Sequence, residues 1–315
     1  MKIMITGAGG FVGRQLVNDV LGLSGISRLT LIDQHLSRLP EDDRVRAFTG
    51  DLTDKALRDE AIDDGVDVLY HLAALPGGAA EGNYVLSRKV NLEASLDLVE
   101  EIAARSTLPR IVYTSTIAVF GAPMPDHIDD HTPLAPALTY GAHKLMMEVA
   151  LADLSRKGMC EAVMVRLPGI LARPKGPSGM RSAFMSDIFH ALAAGQNFTC
   201  PTTPEGHVWA MSVRTCARNL LHAAQLDTGL MPDSRVVTLP ALRFSMGELA
   251  QTLCRILGAD PDLVSYAPDP LLQAQFAALP PLETPAADRA GFRHDGTLEN
   301  LVTQALQGIG VKLPV

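Results

Sequence analysis

Short apolar runs alternate with segments of helical periodicity over the first half of the chain. The runs are KIMIT, LTLID, VDVLYHLAAL, RIVYTSTIAVFG and EAVMVRL, and in most of the intervening segments apolar residues recur every three or four positions. Each crossover between parallel strands has to carry a helix back over the sheet, so this alternation is typical of a parallel sheet covered on both faces. The pattern predicts an α/β fold with a doubly wound parallel sheet.

Composition and charge narrow the class of protein. Hydrophobic residues make up 47% of the 315 residues and charged residues 20%, which is typical of a compact globular chain. The net charge of −8 repels phosphate backbones, so we expect no nucleic-acid partner. No apolar run approaches the roughly 18 residues that cross a bilayer, and we expect a cytoplasmic protein without membrane contact. Cys160, Cys200, Cys216 and Cys254 are widely spaced and are interpreted as reduced structural thiols.

A glycine cluster separates the first apolar run from the first helical segment. Gly7, Gly10 and Gly13 form a GxxGxxG pattern, and Asp33 ends the second apolar run 20 residues beyond Gly13. Glycines allow backbone amides to approach a pyrophosphate at a helix N-terminus, and the acid can accept hydrogen bonds from the adenosine ribose. The carboxylate would repel a 2′-phosphate, so the pattern predicts a Rossmann sheet that binds NAD rather than NADP.

The segment TYGAHK contains Tyr140 and Lys144, which lie one turn apart if it is helical. A tyrosine with a pKa near 10 is a poor base at neutral pH, and a nearby cation lowers that pKa. Lys144 can supply this charge. Thr114, Ser115 and Thr116 end the strand RIVYTST, where an open parallel sheet presents ligand-binding groups, and Ser115 or Thr116 can hydrogen-bond the reacting oxygen.

The strand and helix rhythm loosens after Arg166, where the segment PGILARPKGPSGMR is rich in proline, glycine and basic residues. We therefore predict an NAD-binding domain over residues 1–166. Residues 167–315 are predicted to form mainly a smaller C-terminal substrate-binding lobe, with some segments returning to the Rossmann sheet. The run over residues 269–292 shows no clear period, and we assign it no regular structure.

These motifs, in this order, resemble the extended short-chain dehydrogenase/reductase family, also called the NAD-dependent epimerase/dehydratase family. The resemblance rests on the glycine turn, DLTD, HLAA, VNL, TSTIAVFG and YGAHK, and it covers about the first 170 residues. It implies that Tyr140 and Lys144 are the catalytic YxxxK pair and that Thr116 is the catalytic hydroxyl residue. It also implies a homodimer formed through two helices of each subunit, one of them carrying the YxxxK pair.

The glycine turn, the strand ends and the resemblance together define the expected cofactor site. The segment RLPGI matches the part of the family that lies near the nicotinamide. The expected cofactor-binding residues are Gly7, Gly10, Phe11, Val12, Gly13, Asp33, Asp51, Leu52, Leu72, Ala73, Ala74, Asn91, Thr114, Tyr140, Lys144, Leu167, Pro168 and Ile170.

Two features bear on the substrate. Nucleotide-sugar enzymes of the family usually carry an asparagine in the motif RxxN, whereas this chain has Gly169 there. SRKG, RLPGILARPKGPSG and HVWAMSVR are more similar to the D-erythronate dehydrogenases of the family, which implies oxidation of a four-carbon sugar acid to its 2-oxo acid. A small acid needs a cationic or helix-terminal carboxylate site. The candidates for substrate contact are Ser115, Thr116, Arg173, Ser178, Arg181 and Ser182.

Two other functions remain open at this level. A nucleotide-sugar epimerase of the same family begins with the same hydride step but retains its cofactor. A redox-sensing protein that binds the dinucleotide without catalysis would lack the Tyr/Lys pair, which is intact here. A dehydratase usually needs an added acid/base pair beside the catalytic threonine, where this chain has Ile117 and Ala118.

Several polar residues are interpreted as structural. PDHIDDH groups His127, Asp129, Asp130 and His131 between prolines, and we expect no metal there because the proposed chemistry requires none. His71 lies within an apolar strand and is expected to be a hydrogen-bonded core residue. Trp209 is expected to pack in the core, and His143 is expected to face solvent.

Overall fold

The computed structural model describes residues 1–37, 39–121, 123–174 and 181–313. The strands are β1 (Lys2–Thr6), β2 (Arg28–Asp33), β3 (Val45–Thr49), β4 (Val68–His71), β5 (Arg110–Thr116), β6 (Glu161–Leu167), β7 (Gly169–Ile170), β8 (Phe198–Cys200), β9 (His207–Met211), β10 (Val236–Thr238), β11 (Leu242–Ser245) and β12 (Val264–Tyr266).

The α-helices within these residues cover both halves of the chain. They are α1 (Phe11–Leu21), α2 (Lys55–Ala61), α3 (Gly77–Gly82), α4 (Tyr84–Arg88), α5 (Ser95–Arg105), α6 (Thr139–Arg156), α7 (Phe184–Ala193), α8 (Val213–Gln225), α9 (Met246–Leu257), α10 (Pro270–Phe276), α11 (Pro285–Arg289) and α12 (Leu298–Gly308). A π-helical turn, Lys89–Ala94, joins α4 to α5.

Seven strands form one sheet in the order β3-β2-β1-β4-β5-β6-β10. β1 pairs in parallel with β2 and β4, and the pairs β2 with β3, β4 with β5, and β6 with β10 are also parallel. The strand order runs outward in both directions from β1 and β4, and such a switch point leaves a ligand-binding crevice at the carboxyl ends of the strands. The predicted doubly wound α/β fold is confirmed.

Apolar side chains from the strands and from α5 and α6 form a core on one face of this sheet. β-Strands buried on both faces read as continuous apolar runs, which is why KIMIT and EAVMVRL were recognisable in the sequence. The fully buried members of this core include Met4, Leu69, Ile111, Met164, Leu98, Ile102, Met147 and Leu151.

The chain divides into two compact units. The first comprises Met1–Val119, Pro136–Arg166 and Ala217–Thr238 and contains the seven-stranded sheet. The second comprises Phe120–Ala135, Leu167–Cys216 and Leu239–Val315. The assignment of NAD binding to residues 1–166 and of substrate binding to residues 167–315 stays a prediction.

Two small sheets and the helices α7, α9 and α12 form the core of the second unit. β9 pairs in parallel with β7 and antiparallel with β11, and β8 pairs in parallel with β12. Side chains from α7, α9 and α12 form its core with these strands, among them Ile188, Phe189, Val208, Phe244, Leu249, Leu253, Leu301 and Val302. The Trp209 ring is buried and its Nε1–H donates to the Pro280 carbonyl (2.8 Å), which confirms its packing role.

The run over residues 269–292 contains regular structure that the sequence analysis missed. It includes α10 and α11, each of which has proline in its first turn. Asp269 caps α10, because its carboxylate accepts from the backbone N–H groups of Leu271 (2.8 Å) and Leu272 (3.1 Å). An Asp-Pro pair is a helix start signal that applies even where apolar periodicity is absent.

The four cysteines are buried and free of disulfides, as their spacing predicted. Burial raises the pKa of the Cys216 thiol to about 12, so this side chain is an inert core residue. No helix in the described ranges is long and apolar enough to cross a membrane.

Candidate active site

The glycine turn brings the ends of β1 and β4 into close contact. Gly7 has a φ of +72°, and a side chain on it would meet the backbone of Ala73 at 2.8 Å and of Leu72 at 2.9 Å. A Cβ on Gly13 would lie 2.1 Å from the Gly7 carbonyl oxygen, so α1 packs directly against the turn. Only glycine allows this left-handed conformation and these approaches. The turn leaves backbone amides at the N-terminus of α1, where an anion is stabilised.

Asp33 is fixed beside this turn at the end of β2. Its carboxylate accepts from the backbone N–H of Gly9 (2.9 Å, Oδ2) and of His35 (3.1 Å, Oδ1). A carboxylate has about four acceptor sites, so two remain for ribose hydroxyls. Gly9 was missed by the sequence analysis; a Cβ there would lie 2.1 Å from the His35 carbonyl oxygen. The glycines that no side chain can replace and the half-buried acid fit a dinucleotide.

The polar residues that follow β3 and β4 are hydrogen-bonded within the chain. Asp51 accepts from the backbone of Thr53 (2.9 Å) and from Gln34 (3.3 Å), and the Leu52 side chain is buried. The Asn91 amide is 1% exposed and makes reciprocal hydrogen bonds to the backbone of Leu75, accepting at 2.7 Å and donating at 3.0 Å. The side chain of Asn91 therefore holds the loop after β4, and its part in cofactor binding stays a prediction.

Lys144 is a lysine buried in the interior of the first unit. It is 1% exposed, and its Nζ donates to the Thr114 carbonyl oxygen (2.6 Å) at the end of β5. The ammonium lies 4.4 Å from the ring centroid of Tyr113 and 5.8 Å from that of Tyr140. Burial lowers its pKa to about 7, and the Glu148 carboxylate opposes this shift. A cation is thus held beside the Tyr140 ring, as the YGAHK spacing predicted.

Thr116 and Ser115 differ although they are adjacent. The Thr116 hydroxyl oxygen accepts from the Ala118 backbone (3.1 Å) and the side chain is half-buried. Ser115 is 2% exposed, and its hydroxyl donates to Glu148 (2.5 Å). Because the Ser115 hydroxyl hydrogen is donated to Glu148, Ser115 could contact a substrate only as an acceptor unless this buried hydrogen bond is replaced. The contacts of Ser115 and Thr116 with a substrate stay predictions.

Two further polar residues of this region were missed by the sequence analysis. Glu148 is buried and forms a bidentate ion pair with Arg166, with distances of 3.0 Å to Nε and 2.8 Å to Nη2. Tyr113 is buried and presents its ring to the Lys144 ammonium, a cation–π arrangement. Glu148 follows Lys144 by one helical turn. From this spacing the sequence indicates only an ion pair between the two residues on a helix surface.

The two histidines of this region are both buried. His71 hydrogen-bonds through Nδ1 to Thr6 (2.7 Å) and through Nε2 to Ser95 (2.8 Å), which confirms it as a satisfied core residue. Burial and then the Lys144 charge lower its pKa to about 3. His143 was expected to face solvent, and that expectation was wrong. It is 2% exposed and hydrogen-bonds to Ser87 (3.0 Å), because α4 packs over this side of α6.

The candidate carboxylate ligands lie in the second unit. The Arg173 Nε donates to the Ile170 carbonyl (3.2 Å), and the Arg173 carbonyl oxygen hydrogen-bonds to His190 (2.6 Å). Arg181 is exposed and Ser182 half-buried in the turn Arg181–Ala183 before α7. Ser178 lies outside the described residues.

The segment after β6 has one restricted position. Pro168 and Ile170 are buried, and Gly169 pairs with Ala210 in β9. A Cβ on Gly169 would lie 3.1 Å from the Trp209 carbonyl oxygen and 3.8 Å from Met185 Cε. An asparagine side chain at this position would require the Trp209 carbonyl to move by a few tenths of an ångström.

The PDHIDDH carboxylates are engaged in loop structure. Asp129 accepts from the backbone of His131 (2.9 Å), and Asp130 accepts from the backbone of Ala286 (2.7 Å). Within the part of the chain that the structure describes, no three His, Cys, Asp or Glu side chains are grouped to hold a metal ion.

Comparison with known proteins agrees with this geometry. The family model described as the NAD dependent epimerase/dehydratase family matches residues 3–228. The D-erythronate dehydrogenase of Cupriavidus necator is 33% identical, with 99% of each chain aligned, and that of Haemophilus influenzae is 30% identical over 98% of this chain and 99% of the relative. A solved structure described as the nucleoside-diphosphate-sugar epimerase from Agrobacterium tumefaciens superposes with a TM-score of 0.89 at 30% identity, covering 98% of this chain and 94% of that one. Since the family model matches well over half of the chain, the protein belongs to the NAD-dependent epimerase/dehydratase family.

Proposed function

We propose that this protein is an NAD-dependent dehydrogenase that oxidises the C2 hydroxyl of a small sugar acid, similar to D-erythronate, to the 2-oxo acid. Two relatives that align over nearly the whole of both chains are named D-erythronate dehydrogenases, which supports a dehydrogenase acting on a CH–OH group. The length of these alignments matters, because they include the second unit, to which we assign substrate binding.

The observation that carries the chemistry is the buried Lys144 ammonium beside the Tyr140 ring. A cation at this distance favours the phenolate over the phenol. Tyr140 then acts as the base that takes the proton of the C2 hydroxyl, while the Thr116 hydroxyl hydrogen-bonds the same oxygen. Lys144 needs no rearrangement for this, because the Thr114 carbonyl and the Tyr113 ring already hold it.

The glycine turn and Asp33 are the residues that would hold the cofactor. When bound, NAD accepts the hydride that leaves C2 of the substrate. Asp33 would accept hydrogen bonds from the adenosine ribose, and its negative charge disfavours a 2′-phosphate, which supports NAD over NADP. The backbone amides of Phe11 and Val12 would bind the pyrophosphate at the start of α1.

Arg173, Arg181 and Ser182 are the described candidates for the substrate carboxylate. Arginine suits this task because its guanidinium can donate two parallel hydrogen bonds to a carboxylate. Gly169 supports a small substrate, because the position where nucleotide-sugar enzymes of the family carry an amide has no side chain, and a Cβ there would lie close to the Trp209 carbonyl oxygen.

The proposal is tested by following NADH formation with a panel of four-carbon and five-carbon sugar acids. We expect turnover with an acid that has a C2 hydroxyl, and turnover with NAD to exceed that with NADP. Absence of NADH formation with every acid in the panel would overturn the dehydrogenase proposal.

A second candidate is a nucleotide-sugar epimerase, favoured by the similarity to the Agrobacterium tumefaciens structure. An epimerase returns the hydride to its substrate. Turnover of a UDP-sugar without net NADH, together with no reaction of sugar acids, would establish this alternative. NADH binding without either reaction would instead support a redox-sensing protein.

We also propose that the protein is a homodimer. Met146 and Val149 on α6 are 57% and 67% exposed, and Tyr84 and Val85 on the neighbouring α4 are exposed as well. Adjacent exposed apolar side chains are typical of a surface that a partner covers. A second copy of the chain is the proposed occupant, and light scattering of the purified protein measures the mass that decides it.

A further inference from the structure

Ser115, Glu148 and Arg166 form a buried hydrogen-bonded group, which we call the Glu148 cluster. Ser115 donates to Glu148 Oε1 (2.5 Å), and Arg166 donates to both carboxylate oxygens (3.0 and 2.8 Å). Three donors therefore converge on one carboxylate. The cluster joins three elements, since Ser115 belongs to β5, Glu148 to α6 and Arg166 to β6.

Stability alone is a poor explanation for this cluster. Removing a carboxylate and a guanidinium from water costs several kcal/mol per ion, and well-packed apolar residues often replace such pairs without loss of stability. A buried ion pair does, however, fix the arrangement of its elements, because any displacement leaves a charge unpaired in the interior. The Glu148 cluster therefore fixes β5, α6 and β6 relative to one another.

Glu148 and Ser115 lie next to the proposed catalytic residues along α6 and β5. Glu148 follows Lys144 by one helical turn and Tyr140 by two, so all three project from the same side of α6. Ser115 lies between Thr114, whose carbonyl holds Lys144, and Thr116. The first turn of α6 is also packed against the segment that follows Thr116, because a Cβ on Gly141 would lie 2.5 Å from the Ala118 carbonyl oxygen.

We propose that Glu148 is a positioning residue, which acts through Ser115 to hold the end of β5 against α6 so that the hydroxyls of Thr116 and Tyr140 meet on one substrate oxygen. This rests on the proposed function and changes the part assigned to Ser115, which holds the strand end instead of touching substrate. Proton transfer and hydride transfer require close alignment, and an error of 1 Å can lower a rate about 10²-fold.

The test is a double-mutant cycle with Ser115→Ala and Thr116→Ala. Because Ser115 acts through Thr116, we expect Ser115→Ala to lower kcat about tenfold in the wild-type background and to have no further effect when Thr116 is already alanine. The KM for NAD should stay within about twofold. Glu148→Gln keeps an acceptor for Ser115 and should lower kcat less than Ser115→Ala does.

Glu161→Gln is the matched control. Glu161 pairs with Arg110 (2.9 Å) at the opposite ends of the same strands, β6 and β5. The control removes an ion pair between these strands without touching the Glu148 cluster, so we expect its kcat to match the wild type. An unchanged kcat in Ser115→Ala, or an equal loss in both Thr116 backgrounds, would overturn the proposal.

A second measurement is independent of turnover. The Ala118 amide donates to the Thr116 hydroxyl, so hydrogen exchange at Ala118 reports how firmly the end of β5 is held. Faster exchange in Ser115→Ala than in Glu161→Gln supports the positioning role, and equal exchange contradicts it. Failure of the proposed function is a separate result, since it is read from the absence of NADH formation by the wild type.

Discussion

Helix α9 buries apolar side chains and exposes charged ones, whereas α6 also buries two charged side chains and exposes two large apolar ones. In α9, Leu249 and Leu253 lie in the core of the second unit, and Glu248 and Arg255 are exposed. In α6, the charged Lys144 and Glu148 are buried and the apolar Met146 and Val149 are exposed.

The two helices also differ in how their ends are capped. Ser245 and Glu248 form a capping box at the start of α9, and Gly258, with a φ of +65°, ends it. The first turn of α6 has no side-chain cap of its own, and the Thr139 N–H instead donates to Glu81 (2.9 Å) of α3. The caps and the buried apolar side chains of α9 stabilise the fold. In α6, by contrast, the burial of the charged Lys144 and Glu148 opposes folding. Such local conflicts are expected at functional sites.

The largest effect should come from Tyr140→Phe. Loss of the hydroxyl removes the proposed base, and the rate of NADH formation should fall by about 10² to 10⁴-fold. NADH binding, followed by its fluorescence, should persist. Tyr266→Phe, which removes a hydroxyl from β12 in the second unit, should leave turnover unchanged; comparable activity of the two variants would contradict the role of Tyr140.

Lys144→Met should change how stability depends on pH. The folded-state pKa of Lys144 is about 7, below its unfolded value, so the unfolded chain binds more protons between about pH 7 and pH 10. In this window the free energy of unfolding of the wild type should rise relative to the variant by up to about 1.4 kcal/mol per pH unit, and the two should run parallel below pH 7.

Urea unfolding at several pH values measures this difference. Lys157→Met provides the control, because Lys157 is exposed beyond the end of the same helix. Between pH 7 and pH 10 its curve should stay parallel to that of the wild type. Parallel curves for Lys144→Met as well would mean that the buried lysine titrates normally.

Ser245→Ala should have a smaller effect of a different kind. It removes the hydroxyl that accepts from the Glu248 N–H (3.1 Å), and losing an N-cap costs about 1 kcal/mol. The loss should be the same across neutral pH and should leave kcat unchanged. If kcat fell by more than the loss of stability explains, the contrast between α6 and α9 would be wrong, because α9 would then also affect catalysis.

The smallest effect on the stability of the single subunit is expected from Val149→Lys. Exposed substitutions usually change the free energy of unfolding by less than about 0.5 kcal/mol. The same change should shift the mass measured by light scattering from dimer to monomer. Leu271→Lys, at an exposed apolar position of α10, should leave the mass unchanged. A dimer that survives Val149→Lys would exclude this face of α6 as the interface.

The sequence predicted the sheet and the Tyr140/Lys144 pair because both depend on short-range patterns. β1, the glycine turn and α1 follow one another directly, and the YxxxK spacing corresponds to a helical turn. The surroundings of Lys144 depend on tertiary packing. A lysine followed four residues later by a glutamate is typical of a solvated helix face, so the burial of Glu148 was not predictable from spacing. His143 was assigned wrongly for the same reason, since α4 covers it.

Gly169 limits how this protein could change its substrate in evolution. Acquiring the amide that nucleotide-sugar enzymes carry at this position would bring new atoms against the Trp209 carbonyl oxygen, in the middle of a paired strand. Because Trp209 is buried and hydrogen-bonded to Pro280, that strand has little freedom to retreat. In a chain descended from this one, a single-residue step toward that amide would therefore require β9 to shift by a few tenths of an ångström.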